Sequence, residues 1–271
     1  MTPLDIVIVN FNTREDLDAC LRSIFDAPPE ALHQVFVVDN ASTDGSAAHV
    51  RASWPGVTVV ALDRNAGFAA ANNIALREST VPLVLLLNSD TLVPPGAIDR
   101  LRRRLLDTGA VAAGPRLDDA RGRPEVSFGP MLSPWAELRQ RSRVRRAASD
   151  RPDDQRRTNA LVSTERVVDW VSGACLLVRR EAALEAGLLD ERYFMYEEDV
   201  DFCAALRAKG GRILFTPEAR VTHLRGRSVA RAGLAASPHY HRSHLAFYRK
   251  HQPLWAPALR LWLTVRGHDV R

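Results

Sequence analysis

Four short apolar runs constrain this chain most: LDIVIV at 4–9, VFVV at 35–38, VTVVAL at 57–62 and VPLVLLL at 81–87. The last places no polar side chain in seven residues. A strand that alternates polar and apolar side chains can leave one face in water, whereas a strand apolar at every position needs cover on both faces. Helical patterns lie between the runs. In REDLDACLRSIF, Leu17, Cys20, Leu21, Ile24 and Phe25 share one helix face, and Pro28-Pro29 stop it. NASTDGS offers Ser42 or Thr43 as the cap of a short helix through about Ser53. GFAAANNIALRE is a helix of small residues, Pro95 opens another over 95–107, and AVAAG at 110–114 reads as a fifth strand. Apolar strands alternating with helices predict an α/β chain, a mostly parallel central sheet with helices on both faces.

In such sheets ligands bind beyond the carboxyl ends of the strands. The first run ends on Asn10-Phe11-Asn12, the second on Asp39-Asn40 and the fourth on Asn88-Ser89-Asp90, while Arg64 and Asn65 follow the third. Any one of these is ordinary turn or cap chemistry, but together at one edge they point to a site. No glycine follows the first strand, so neither a dinucleotide fingerprint nor a P-loop is present. A nucleotide would have to be held by side chains or through a metal. Asp90 suits the second route, because a hard divalent cation takes carboxylate oxygens and bridges phosphate oxygens. His223, in VTHLRGRS, is a second candidate ligand, or else a surface or capping histidine.

Further along, DWVSGACLLVRREAAL reads as a strand running into a helix, and RILF as a short strand. The chain turns helical again from about His241. In ERYFMYEEDVDFCAALRAKGG, Phe202, Ala205 and Leu206 give a helical face ended by Gly210-Gly211. Its acids, Glu197, Glu198, Asp199 and Asp201, favour a helix N-terminus, yet large side chains from Tyr193 to Tyr196 precede them. Partial burial there raises a carboxylate pKa and suits a general base, a role for one or two of the four. The expected organisation is a main domain over 1–240 and a C-terminal helical segment over 241–271. Within the main domain, 1–114 is one half, 169–240 the other, and 115–168 an irregular basic excursion.

The net charge of +5 is uneven: residues 139–157 hold eight arginines against three acids. Such a block is either a solvated loop or a contact for an anionic partner, whether nucleic acid, a membrane surface or a phosphorylated substrate. A nucleic-acid surface would interleave aromatics with the basic residues, and this block has none. Three unpaired cysteines, Cys20, Cys175 and Cys203, indicate a reducing compartment and no disulfide framework. MTPLDIVIVNF reads as a core strand and not as a signal peptide, and no window of about twenty residues lacks charge, so a spanning helix is not expected. Trp135 stands beside arginines in WAELRQRSRVRR, and Trp255 and Trp262 stand near Arg260 and Arg266. Tryptophan with arginine suits a membrane interface, and equally a helix packed on the domain. The expected location is cytoplasmic, peripheral on the inner face of the cell membrane.

Seven stretches carry a resemblance: DIVIVNFNTREDL, VVDNASTDGS, NAGFAAANN, LLLNSDT, VSGACLLVRRE, YFMYEEDVDFCAALRAKG and VTHLRGRS. In this order they resemble the family 2 inverting glycosyltransferases, and among them the bacterial rhamnosyltransferase-like group. The match spans about 4–228 and is weakest over 115–168. The resemblance implies a GT-A fold, a nucleotide-sugar donor (dTDP-rhamnose among the candidates) and a glycan or polyprenyl-linked glycan acceptor. It implies Mg2+ or Mn2+ held by the aspartate of a D-x-D-type motif, which here reads Asn88-Ser89-Asp90, with His223 joining the metal or the diphosphate. By the same likeness Asp39 reads the base, Phe11 packs near it, and Asn65 and Asn88 lie by the donor. Trp170 and Gly173 then lie near the donor or acceptor sugar, and Asp199, beside Glu198, is the base that deprotonates the acceptor. A catalytically silent nucleotide-sugar binder of the same fold is the alternative, with a basic nucleic-acid binder behind it.

Overall fold

The computed structural model describes residues 1–224 and 236–268 of the 271-residue chain. Its strands are β1 (Leu4–Asn10), β2 (Leu32–Asp39), β3 (Val57–Ala61), β4 (Leu83–Asn88), β5 (Thr91–Leu92) and β6 (Ala112–Asp118). They continue as β7 (Phe128–Gly129), β8 (Arg166–Val168), β9 (Trp170–Val171), β10 (Cys175–Arg179) and β11 (Ile213–His223). The helices are α1 (Arg14–Phe25), α2 (Ser46–Ser53), α3 (Phe68–Glu78), α4 (Ala97–Thr108) and α5 (Pro134–Ala147). After these come α6 (Pro152–Val162), α7 (Arg180–Glu185), α8 (Glu198–Ala208), α9 (Ala236–His251) and α10 (Ala256–Val265).

Among the described residues one sheet runs β3-β2-β1-β4-β10-β6-β11-β5, with β8 on β11, and β7 pairs separately with β9. The first four of these strands pair in parallel, whereas β10 lies antiparallel between β4 and β6. The sheet is therefore mixed, with the expected parallel part at its N-terminal end. β4 shows why both faces are covered. Val84 and Leu86 enter the layer built with Leu76 of α3 and Phe202 and Leu206 of α8. Leu83, Leu85 and Leu87 enter the opposite layer, with Leu17 and Leu21 of α1 and Ile98, Leu101 and Leu105 of α4. Every residue from Leu83 to Leu87 is buried.

The parallel register of β1 on β4 sets Val9 beside Asn88, so the polar loops after the two strands emerge together. Buried hydrogen bonds then join the carboxyl ends. Asn10 Nδ2 donates to Asp39 Oδ1 at 2.8 Å, Thr13 Oγ1 donates to Asn10 Oδ1 at 2.7 Å, and the Thr13 and Ser89 hydroxyls lie 2.8 Å apart. Ser42 and Thr43 serve this stitching instead of capping α2. Ser42 Oγ accepts from the Asn12 amide and Thr43 N donates to Asn12 Oδ1, while Gly45, at φ +79°, is the N-cap of α2.

The stretch 115–168 is not irregular. β6 extends to Asp118, and α5, α6 and β8 follow. Ser133 caps α5 by accepting from Ala136 N, and Pro134 and Pro152 stand in the first turns of α5 and α6. These helices escape a search for apolar periodicity because their buried residues include only Glu137 and Ala147 in α5 and Thr158 and Val162 in α6. α9 begins at Ala236, ahead of the expected start, and runs across residue 240. The part of VTHLRGRS after Leu224 lies outside the described residues.

Leu85 is fully buried and pairs with Ile6 on one side and Leu177 on the other. Leu85→Ala should cost about 2–5 kcal/mol. In urea unfolding the midpoint should fall with the slope unchanged.

Candidate functional site

At the carboxyl edge of β1, β2 and β4 lies a cavity of about 510 Å3. Its walls come from both halves of the chain: Phe11, Asn40, Asn65 and Asp90 from the first, Gly173, Asp199 and His223 from the second. Apolar cover comes from Phe68, Phe194, Met195 and Tyr196. Short side-chain bonds shape the first wall. Asn40 Oδ1 accepts from Ala66 N at 2.7 Å, and Asn65 Oδ1 accepts from Gly67 N at 3.0 Å. Gly67 sits at φ +86°, where a Cβ would come within 2.5 Å of the Phe194 carbonyl oxygen. That oxygen accepts from Phe68 N at 2.9 Å. The two walls touch there, and only glycine permits it.

β4 ends in Asn88, and Asp90 is buried at the cavity floor. Asp90 Oδ1 makes no well-formed hydrogen bond, and His223 Nε2 lies 3.4 Å from it. His223 Nδ1 faces Glu125 Oε2 at 3.3 Å. Burial by itself would lower the His223 pKa, but Asp90 and Glu125 outweigh it and raise the value to about 9. Among the described residues no group of three or more His, Cys, Asp or Glu side chains is gathered as a protein-only metal cage. Asp90 Oδ1 and His223 Nε2 nevertheless present one oxygen and one nitrogen to the cavity. That pair fits a divalent ion whose other ligands are substrate oxygens and water.

The acid pair also lines the cavity. Tyr196 and Glu197 take left-handed φ values of 72° and 66°, unusual for two successive non-glycine residues. The turn delivers Glu198 and Asp199 to the start of α8. Asp199 Oδ2 accepts from Gly173 N and Oδ1 from Val200 N, each at 2.8 Å. Burial raises the Asp199 pKa. Glu198, with Oε2 buried and unbonded, is raised well above the ordinary glutamate value by burial and then by the charge of Asp199. Two carboxyls this close do not readily ionise together. The two amides favour the charged form of Asp199, whereas burial and the Asp199 charge favour the neutral form of Glu198.

α9 holds this turn in place. Ser243 Oγ donates to the Met195 carbonyl at 2.8 Å, and His244 Nδ1 lies 2.9 Å from Glu197 Oε1. His244 Nε2 faces Glu137 Oε2 at 3.3 Å, and the Tyr248 hydroxyl donates to the other Glu137 oxygen. Asp201 is structural: Lys250 Nζ and His251 Nε2 reach it at 2.8 and 2.6 Å.

Of the residues expected at the site, Phe11, Asn65, Asn88, Asp90, Gly173, Glu198, Asp199 and His223 line the cavity. Asp39 and Trp170 do not. Asp39 is buried, its oxygens accepting from Asn10 Nδ2 and Ser42 N. Trp170 packs on Gly129, and its Nε1 donates to the Pro130 carbonyl at 2.9 Å. Glu125 and His244 were missed, since neither stands in a local pattern that marks a site. Asn40 had a signal, being the second polar residue at the end of β2.

The sequence pattern of the family described as Glycosyl transferase family 2 matches residues 5–166. The chain is 30% identical over 298 aligned residues to an N-acetylglucosaminyl-diphospho-decaprenol L-rhamnosyltransferase of Mycobacterium tuberculosis, covering 97% of this chain and 89% of that one. It is 27% identical to an O-antigen biosynthesis protein of Myxococcus xanthus, over 98% of this chain and 21% of that one. Two solved structures share the fold. GalNAc-T7 with UDP, GalNAc and Mn2+ gives a TM-score of 0.66 at 16% identity, over 92% of this chain and 48% of that one. The mannosyltransferase PcManGT of Pyrobaculum calidifontis, with GDP-Man and Mn2+, gives 0.61 at 19% identity, over 95% and 68%.

His244 is buried, and its ion pairs with Glu137 and Glu197 outweigh the lowering effect of burial and raise its pKa to about 9 from an ordinary 6.5. A histidine raised on folding stabilises fully below its unfolded pKa, and the contribution is lost as pH rises through the folded value. Stability of the metal-free protein should therefore fall between about pH 6.5 and 9, by on the order of 3 kcal/mol from this residue. Urea unfolding across that range should give a flatter profile for His244→Gln, with the share of His223 remaining.

Proposed function

The chain belongs to glycosyltransferase family 2, and on that premise we propose that it transfers a sugar, with inversion, from a nucleoside-diphosphate donor to a polyprenyl-linked glycan acceptor. dTDP-rhamnose is the donor we favour, and the support is the relative whose name carries both a decaprenol-linked acceptor and a rhamnosyl transfer. We also propose the division of labour expected from the sequence: residues 1–114 hold the donor, and 169–240 supply the acceptor side and the base. Support for it is a cavity walled from both. No helix among the described residues is long and apolar enough to cross a membrane. Since a polyprenyl chain sits in a bilayer, we read the protein as peripheral on the inner membrane face.

The geometry supports the following proposed roles. Asn65 and Asn88 offer amide donors and acceptors to the donor, and Phe11 offers a ring for the base to pack against. Asp90 and His223 would hold Mg2+ or Mn2+, which, when bound, neutralises charge on the leaving diphosphate. Asp199 takes the proton from the acceptor hydroxyl as that oxygen attacks the anomeric carbon from the face opposite the diphosphate. The carbon–oxygen bond to the diphosphate breaks as the new one forms, so one displacement inverts the centre. Glu198, whose burial favours its neutral form, leaves Asp199 the better placed of the pair to carry the charge. Phe68, Phe194 and Met195 exclude water, which would otherwise compete as acceptor.

The observation that carries this reading is the shared lining of one cavity. It is lined by a buried carboxylate with a histidine beside it and by a backbone-held carboxylate with a raised pKa. Asp199→Asn should keep nucleoside-diphosphate binding by isothermal titration while kcat falls by about 100-fold or more. Wild-type kcat should rise with pH along a limb centred above the ordinary aspartate value of 3.8. Asp90→Ala should abolish the gain in dTDP affinity that Mn2+ gives. An active Asp199→Asn beside an inactive Glu198→Gln would move the base to the other carboxyl, and unchanged metal-dependent binding by Asp90→Ala would sink the donor assignment.

A further inference from the structure

α10 has two apolar faces, and only one is used. Ala256, Leu259 and Leu263 turn inward, where Leu259 and Leu263 pack with Leu245 of α9. Ala258, Leu261, Trp262 and Val265 recur at i, i+3, i+4 and i+7 and turn outward. Leu261 is 67% exposed and Val265 78%, and Leu254, just before the helix, is 92% exposed. A soluble surface scatters single apolar side chains; a continuous stripe of them at helical spacing marks a contact.

A second stretch reaches the same place. Gln252 Nε2, between α9 and α10, donates to the Leu132 carbonyl at 3.0 Å, which brings the start of α5 against the α9–α10 junction. Trp135, in the first turn of α5, is 70% exposed, and Trp255 at the head of α10 is 47% exposed. Two tryptophans 120 positions apart thus flank one junction.

Along α9 and α10 the charge has one sign: residues 236–268 hold five arginines and lysines and no acid. Arg249 and Arg260 line a groove between α9 and α10, and neither forms an ion pair with a described residue. Arg266 lies over the Trp262 ring at 4.5 Å. Exposed aliphatics with tryptophan at their edge and unpaired arginines beside them complement a bilayer surface with anionic headgroups. The rings sit at headgroup depth, and the guanidinium groups meet phosphate.

We infer that the outward stripe of α10, with Trp135 and Trp255, docks the protein on an anionic membrane surface. The inference rests on the proposed lipid-linked acceptor for its purpose and on this surface for its physics. α9 connects the two sites: Ser243, near its start, bonds the cavity residue Met195, and its far end leads into α10. Along the helix axis that spans roughly 15 Å. Docking would set the cavity at a fixed height above the headgroups, where a sugar on a polyprenyl diphosphate emerges.

The test uses the full chain and vesicles free of sugar acceptor, either pure phosphatidylcholine or phosphatidylcholine with one-third phosphatidylglycerol. Wild type should sediment with the anionic vesicles at low salt, at least tenfold more than with the neutral ones, and return to the supernatant in 0.5 M NaCl. Leu261→Glu/Trp262→Glu should lose that binding at least tenfold, with melting temperature and dTDP binding unchanged. Arg249→Glu/Arg260→Glu, which leaves the apolar stripe intact, should lose most of the salt-sensitive part and serves if the first variant fails to fold. Wild type that stays in the supernatant at low salt overturns the inference. So does vesicle binding that survives both variants. A wild-type dimer by light scattering overturns it too, if Leu261→Glu/Trp262→Glu makes it monomeric and the monomer still sediments with vesicles. Nucleoside-diphosphate release in solution reads the catalytic proposal separately, so either can fail without the other.

Discussion

β4 must be covered on both faces, and the rest of the molecule depends on that. With five successive apolar residues from Leu83 to Leu87 buried, it cannot be an edge strand or a one-sided one. Helices therefore pack against it from both sides, and its first polar side chains appear only where the strand ends. Because β1 pairs with it in parallel, the loop after Asn10 and the loop after Asn88 leave the sheet side by side. The site lies at this edge because it is where two buried strands regain access to water. A carboxylate placed at such an end, as Asp90 is, inherits the rigidity of the core beneath it.

The other wall is assembled differently. Asp199 stands at the head of α8, reached through two left-handed residues that a free peptide would avoid. Contacts from far along the chain hold that conformation: Ser243 on Met195, His244 on Glu197, and Asn73 bonded to Leu189 through both ends of its amide. One wall is thus built from strand ends and the other from a strained turn clasped by a helix. The clasp passes through His244 to Glu137 on α5, so the segment 134–147 supports the acid pair although it lies outside the cavity wall.

The same helix pair gives the protein its outer face. α9 contributes Phe247 and Tyr248 to the core, while α10 adds one buried stripe and leaves a second in solvent. A helix that only had to pack on the domain would carry polar residues on that outward side. Its apolar outer stripe lies in a segment, 236–268, that carries no acid.

The strands, most helices and the polar strand ends were legible in the sequence because periods of 2 and 3.6 are local properties of a chain. Asp90 could be read as a ligand from its place after an apolar run, and Glu198 and Asp199 as candidates from the large side chains before them. α5 and α6 could not, because their buried residues are too few to make a stripe. Only the tertiary structure decided which polar residues meet. It brought His223 and Glu125 to Asp90, bonded Asp39 to Asn10 and Ser42, and set the Trp170 indole on the Pro130 carbonyl. These outcomes rest on strand register and loop path between residues far apart in the chain, quantities that no local periodicity encodes.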